Sequence, residues 1–89
     1  MKKVYVFTLP NCSACKGTIE LLKNDGIPHI ELPTDKHEKI WKKVRRLGDA
    51  YLLPTVFIQD NSDGSGYVYT PNRDFTTFDE LVKIIKNNI

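Results

Sequence analysis

Cys12-Ser13-Ala14-Cys15 contains both cysteines of this 89-residue chain. Thiols at that spacing can close and reopen a small disulfide ring, and each closure moves two electrons. An apolar, strand-like run precedes the pair and a helix-like run begins at it. The first cysteine therefore falls where unpaired backbone N–H groups and the helix dipole favour a thiolate. On this reading Cys12 is the exposed nucleophile of lowered pKa, and Cys15, one turn further in, is the more buried resolving thiol. Lys16 adds a positive charge close by in sequence. Lowering a thiol pKa from ~8.5 to ~7 raises the thiolate fraction at pH 7 about 15-fold. The accompanying loss of nucleophilicity leaves only about 3-fold in attack, so position matters more than acidity.

Two other uses of the pair compete with redox chemistry. Zinc normally takes four ligands, and the only other soft donors here are His29 and His37. The first lies inside a predicted strand and the second in the first turn of a predicted helix, with no finger spacing. No metal is expected. A structural disulfide across so short a loop adds little stability.

The elements that must position the thiols can be read from periodicity. Lys3 to Thr8, with Val4-Tyr5-Val6-Phe7 unbroken, suits a strand covered on both faces. Cys15, Thr18, Ile19 and Leu22 share one helical face, and Gly26 is placed to end that helix in a left-handed turn. Ile27 to Leu32 alternates as a second strand. Asp35-Lys36-His37-Glu38 resembles a capping box, followed by an Ile40, Val44, Leu47 stripe that ends at Gly48. Thr55 to Ile58 and Tyr67 to Tyr69 are strands joined by the turn-rich 60–66 segment, so an antiparallel hairpin is expected. Asn61-x-Asp63-x-Ser65-Gly66 lacks the closing glutamate of a calcium loop and reads as a turn. Thr77-Phe78-Asp79-Glu80 is a second capping box, opening a helix with Phe78, Leu81, Val82 and Ile85 on one face.

Composition narrows the class. A chain of 10.2 kDa with 40% hydrophobic and 27% charged residues is expected to form one α/β domain over 1–89. A net charge of +2 argues against nucleic acid as the main partner. No apolar run approaches the ~20 residues of a membrane span. The start of the chain lacks a signal-peptide cleavage site, and two close cysteines are too few for a stapled secreted domain. A cytoplasmic monomer is expected.

With Cys12-Ser13-Ala14-Cys15 after the first strand and Leu53-Pro54-Thr55-Val56-Phe57-Ile58 at the third, the chain resembles a glutaredoxin over essentially its whole length. NrdH-like redoxins and phage or viral glutaredoxins share the plan. The resemblance implies a thioredoxin fold, βαβαββα, with a four-stranded mixed sheet, three helices and helices on both faces. It implies a cis peptide before Pro54 beside the cysteines, and a Leu53 backbone that pairs with bound glutathione or a protein strand. The implied activity is that of a dithiol–disulfide oxidoreductase acting on protein or glutathione mixed disulfides in electron transport. Glutathione is the implied co-substrate. Disulfide-containing proteins, with ribonucleotide reductase or thioredoxin reductase among them, are the implied partners.

The chain also departs from that family. Ser13-Ala14 replaces Pro-Tyr, Leu9 stands where a lysine is common, and Leu52-Leu53 replaces Thr-Val before the proline. Tyr69-Thr70-Pro71-Asn72-Arg73-Asp74 occupies the region of the usual Gly-Gly and acidic pair. These differences leave glutathione and a thioredoxin-reductase-type enzyme as rival donors. Arg73, Thr76 and Thr77 are candidates to meet a carboxylate at the start of the last helix. Lys36, Lys39, Lys42, Lys43, Arg45 and Arg46 form either a solvated helix face edged by Trp41 or a surface that steers an acidic partner. A different class remains open as well: a module in which two chains and two glutathiones hold a [2Fe–2S] centre through Cys12.

Overall fold

The unbroken apolar run near the start of the chain becomes β1 (Lys2–Thr8), an inner strand of the sheet. The computed structural model describes residues 2–48, 52–60 and 65–89. β1 pairs in parallel with β2 (Ile30–Pro33) and antiparallel with β3 (Thr55–Asp60), and β4 (Gly66–Tyr69) adds antiparallel to β3. The strand order is β2-β1-β3-β4. Three helices complete the chain: α1 (Ser13–Asn24), α2 (Glu38–Gly48) and α3 (Phe78–Asn88). This is the mixed-sheet βαβαββα architecture expected above. No helix among the described residues is long and apolar enough to cross a membrane.

The alternation of β1 divides the core between two faces. Val4 and Val6 join Val56 and Ile58 beneath Ile19 and Leu22 of α1 and Leu81, Val82 and Ile85 of α3. Phe7 packs the other way with Val44 and Val68, and its ring lies 5.2 Å from that of Trp41. α1 and α3 therefore cover one face, and α2 covers the other.

The first helix stops where its glycine permits. Gly26 has φ +66°, its N–H bonds the Lys23 carbonyl, and the Ile27 N–H bonds the Leu22 carbonyl at 2.9 Å. Those two bonds, with Ile27 and Leu22 both in the core, form a Schellman ending. They also shorten the second strand relative to the expected 27–32. The Ile27 N–H is committed to the helix end and Pro28 has none, so pairing starts at Ile30. His29 lies before the strand, with Nδ1 2.8 Å from the Ile27 carbonyl oxygen.

α2 differs from its sequence pattern. Pro33 accepts N–H bonds from Lys36 and His37, so residues 34–36 form a turn and the helix starts at Glu38, without the box expected from Asp35. His37 therefore precedes the helix. The inward face runs through Trp41, Val44 and Gly48, spaced i, i+3, i+7, whereas Ile40 and Leu47 are 47% and 76% exposed. Residues 61–64 of the turn between β3 and β4, with most of the weak calcium-loop pattern, lie outside the described residues.

α3 is capped as its sequence predicts. The Thr77 hydroxyl accepts the Glu80 N–H at 3.2 Å, and the Glu80 carboxylate accepts from the Thr76 N–H and the hydroxyls of both threonines. Lys86 pairs at 2.9 Å with Asp25, at the end of α1, an exposed contact of small worth.

Two predictions follow from these termini. A Cβ on Gly48 would lie under 3.0 Å from the Val68 side chain of β4. Gly48→Ala should cost about 1–3 kcal/mol, read as a thermal midpoint lowered by roughly 5–15 °C; an unchanged midpoint would mean that α2 shifts freely. Hydrogen bonds from Thr76, first from its hydroxyl, hold the Glu80 carboxyl below its ordinary value. A depressed acid stabilises fully above its unfolded pKa and loses that contribution as pH falls through the folded one. Glu80→Gln should therefore lower the midpoint at neutral pH, with the gap closing as pH drops below 4.5. A gap independent of pH would remove the ionised carboxylate from the account.

Candidate active site

β1 ends at Thr8, and the chain turns back through Leu9 to Asn11 to start α1 at Cys12. The Cys12 N–H bonds the Leu9 carbonyl at 3.2 Å, closing that turn. Cys12 has extended φ and ψ and is the N-cap of α1, with its own carbonyl accepting the Lys16 N–H. Its sulfur accepts the backbone N–H of Cys15 at 3.1 Å, in the place where a serine or aspartate oxygen usually sits. A negative sulfur is favoured there by both the hydrogen bond and the helix dipole.

The two cysteines are joined as a disulfide with Cα atoms 5.2 Å apart. They sit in unlike surroundings. Cys12 is half-buried at the tip of the helix, whereas Cys15 is 1% exposed on the face that carries Thr18, Ile19 and Leu22 into the core. The Thr18 hydroxyl bonds the Ala14 carbonyl at 3.0 Å and steadies the first turn.

Register brings the second motif alongside. Phe7 is opposite Thr55 in the antiparallel β1–β3 pair, so the preceding residue, Pro54, lies along Thr8 at the mouth of the cysteine turn. The Leu53-Pro54 peptide is cis. Leu53 is half-buried with the Phe7 and Trp41 cluster, whereas Leu52 and Leu9 leave exposed apolar surface.

A chain of hydrogen bonds holds this segment from behind. The buried Thr55 hydroxyl donates to the Leu52 carbonyl at 2.6 Å and meets the Thr70 hydroxyl at 3.2 Å. The Thr70 N–H donates to Asp74 at 2.9 Å, and Asp74 receives Arg73 at 2.9 Å. The Arg73 guanidinium also donates to the Gly48 carbonyl at the end of α2 and to the Val68 carbonyl of β4. Asn72, with φ 68°, makes the tight turn that lets Arg73 and Asp74 reach back.

The candidate residues thus fall into two groups. The fold gathers Cys12, Cys15, Leu53 and Pro54 at the ends of β1 and β3. Arg73, Thr76 and Thr77 are engaged within the fold: Arg73 with Asp74 and two backbone carbonyls, the threonines with Glu80. Sequence reading passed over Thr8, Glu31, Thr55 and Thr70. Thr55 had a signal, a hydroxyl directly after the proline in an otherwise apolar strand. Thr8 bonds Glu31 across β1 and β2 at 3.0 Å, which only the parallel register reveals. Among the described residues, no three His, Cys, Asp or Glu side chains form a metal-ligand group.

Comparison with known proteins agrees with this geometry. Among solved structures, a crystal structure of a mutant of the thioredoxin-like protein BC3987 superposes with a TM-score of 0.71 at 26% identity, covering 98% of this chain and 97% of that one. No curated protein matches. The glutaredoxin family model matches residues 4–62, which include the cysteine pair, the proline and the three strands between which they lie. With that match and a disulfide-bonded Cys12–Cys15 pair at a helix start, the chain belongs to the glutaredoxin family and is a thiol–disulfide oxidoreductase.

Proposed function

We propose that the protein reduces disulfides of other proteins, with Cys12 attacking and Cys15 resolving. The observation that carries this reading is the asymmetry of the pair: a half-buried sulfur capping the helix, and a buried one behind it. The Cys12 thiolate attacks a substrate disulfide and releases one substrate thiolate. Cys15 then attacks the Cys12 sulfur, closes the ring and releases the second. Leu9, Leu52 and Leu53 offer apolar contact around the cleft, and the Leu53 backbone offers strand pairing to the substrate.

The electron donor proposed is a thioredoxin-reductase-type flavoenzyme, with ribonucleotide reductase among the acceptors such a dithiol could serve. The support is chemical. Leu9 carries no charge for a glutathione carboxylate. Arg73, Thr76 and Thr77, the candidates at the start of the last helix, already have partners. Glutathione is the competing donor.

Three measurements test this. Cys12→Ser should reduce disulfide-reducing activity to the uncatalysed background; retained activity ends the mechanism. Cys15→Ser should accumulate a Cys12-linked adduct with substrate, visible as added mass on the intact protein. With NADPH consumption as readout, thioredoxin reductase should support faster turnover than glutathione with its reductase. The reverse ranking assigns glutathione as donor.

A further inference from the structure

A groove of about 340 Å³ runs beside α1, from Leu9 and Pro10 of the cysteine turn to Lys23 near the helix end, and reaches Glu31 and Pro33 of β2. Its walls include Thr8, Cys15, Lys16, Glu20, Lys23 and Glu31. Buried Cys15 contributes to its lining, and so do two carboxylates, Glu20 and Glu31. One of them is held: Glu31, on the edge strand β2, accepts the hydroxyl of Thr8, itself 2% exposed, at 3.0 Å.

The chemistry of resolution needs a group in that place. Cys15 must lose a proton before it can attack, and burial opposes formation of a thiolate. Unlike Cys12, it does not cap the helix. A carboxylate held by the Thr8 hydroxyl, in a groove wide enough for water, supplies what is missing, through one bridging water.

We infer that Glu31 is the proton acceptor for Cys15. This rests on the dithiol reading proposed above. In the mixed disulfide, the Cys15 thiol passes its proton through a groove water to the Glu31 carboxylate. The electron pair left on the Cys15 sulfur forms the bond to the Cys12 sulfur. The Cys12–substrate bond breaks, and its electron pair leaves on the substrate thiolate. When a donor thiolate later opens the ring at Cys12, Cys15 departs as thiolate and recovers a proton from Glu31. Lys16 and Lys23 face the same groove from α1 and favour the transient negative sulfur; Glu20 opposes it.

The test is stopped-flow reaction of the reduced protein with excess 2,2′-dipyridyl disulfide. Two molecules of pyridine thione leave in turn, the first on attack by Cys12 and the second on closure by Cys15. Glu31→Gln keeps an oxygen for the Thr8 hydroxyl, so the fold should survive. The first phase should match the parent protein. The second should slow roughly tenfold near neutral pH, at the low side of general-base effects, and recover towards pH 9–10 as the thiol ionises unaided. Glu31→Asp should restore part of the lost rate. A second phase equal to that of the parent, or one slowed by the same factor at every pH, overturns the role of Glu31. A parent protein that shows no second phase overturns the dithiol reading itself.

Discussion

The hydrogen bond from the Cys15 N–H to the Cys12 sulfur joins helix capping to redox chemistry. A neutral sulfur is a weak acceptor, but a thiolate makes the same bond charge-assisted. One geometry therefore caps α1 and favours the reactive form of the nucleophile. It works only if α1 cannot slide or tilt, because the sulfur must stay within reach of the N–H. The buried side chains Cys15, Thr18, Ile19 and Leu22 hold one face, and the Schellman ending with Ile27 holds the far end. Most of the core beneath α1 and α3 can be understood as support for that helix start.

The opposite wall of the cleft is fixed by polar groups. The path Arg73–Asp74–Thr70–Thr55 reaches the Leu52 carbonyl and ties the segment before Pro54 to α2 and β4. An unpartnered buried hydroxyl costs about 1–3 kcal/mol, so the two threonines hold each other as firmly as they hold the loop. Among the described residues, no buried side-chain nitrogen or oxygen lacks a partner. The segment that replaces the family's Gly-Gly region thus has a physical purpose. It carries the turn at Asn72 and the cation that caps the end of α2.

How much of this was legible in the sequence depended on whether the cause was local. Gly26, Thr77 and Glu80 announced helix ends because capping is decided within a few residues. β1 announced itself by four consecutive apolar residues. α2 was misread by one helical step, because Ile40 and Leu47 look like core when the stripe is taken alone. The ring of Phe7 and the side chain of Val68 select the Trp41–Gly48 face instead. The Thr8–Glu31 and Thr55–Thr70 pairs were invisible for a plainer reason: each bridges strands whose register is set by the whole sheet.

The pair's asymmetry then has a structural origin beyond spacing. Cys12 lies where the chain leaves the sheet, so its sulfur faces partners and draws on the helix dipole. Cys15 is one turn further into the helix, on the face that carries Thr18, Ile19 and Leu22 into the core. Burial protects it from competing disulfides but removes the water that would take its proton. A groove lined by both Cys15 and Glu31, whose carboxylate the Thr8 hydroxyl holds, gives the proposed proton transfer a place in the fold.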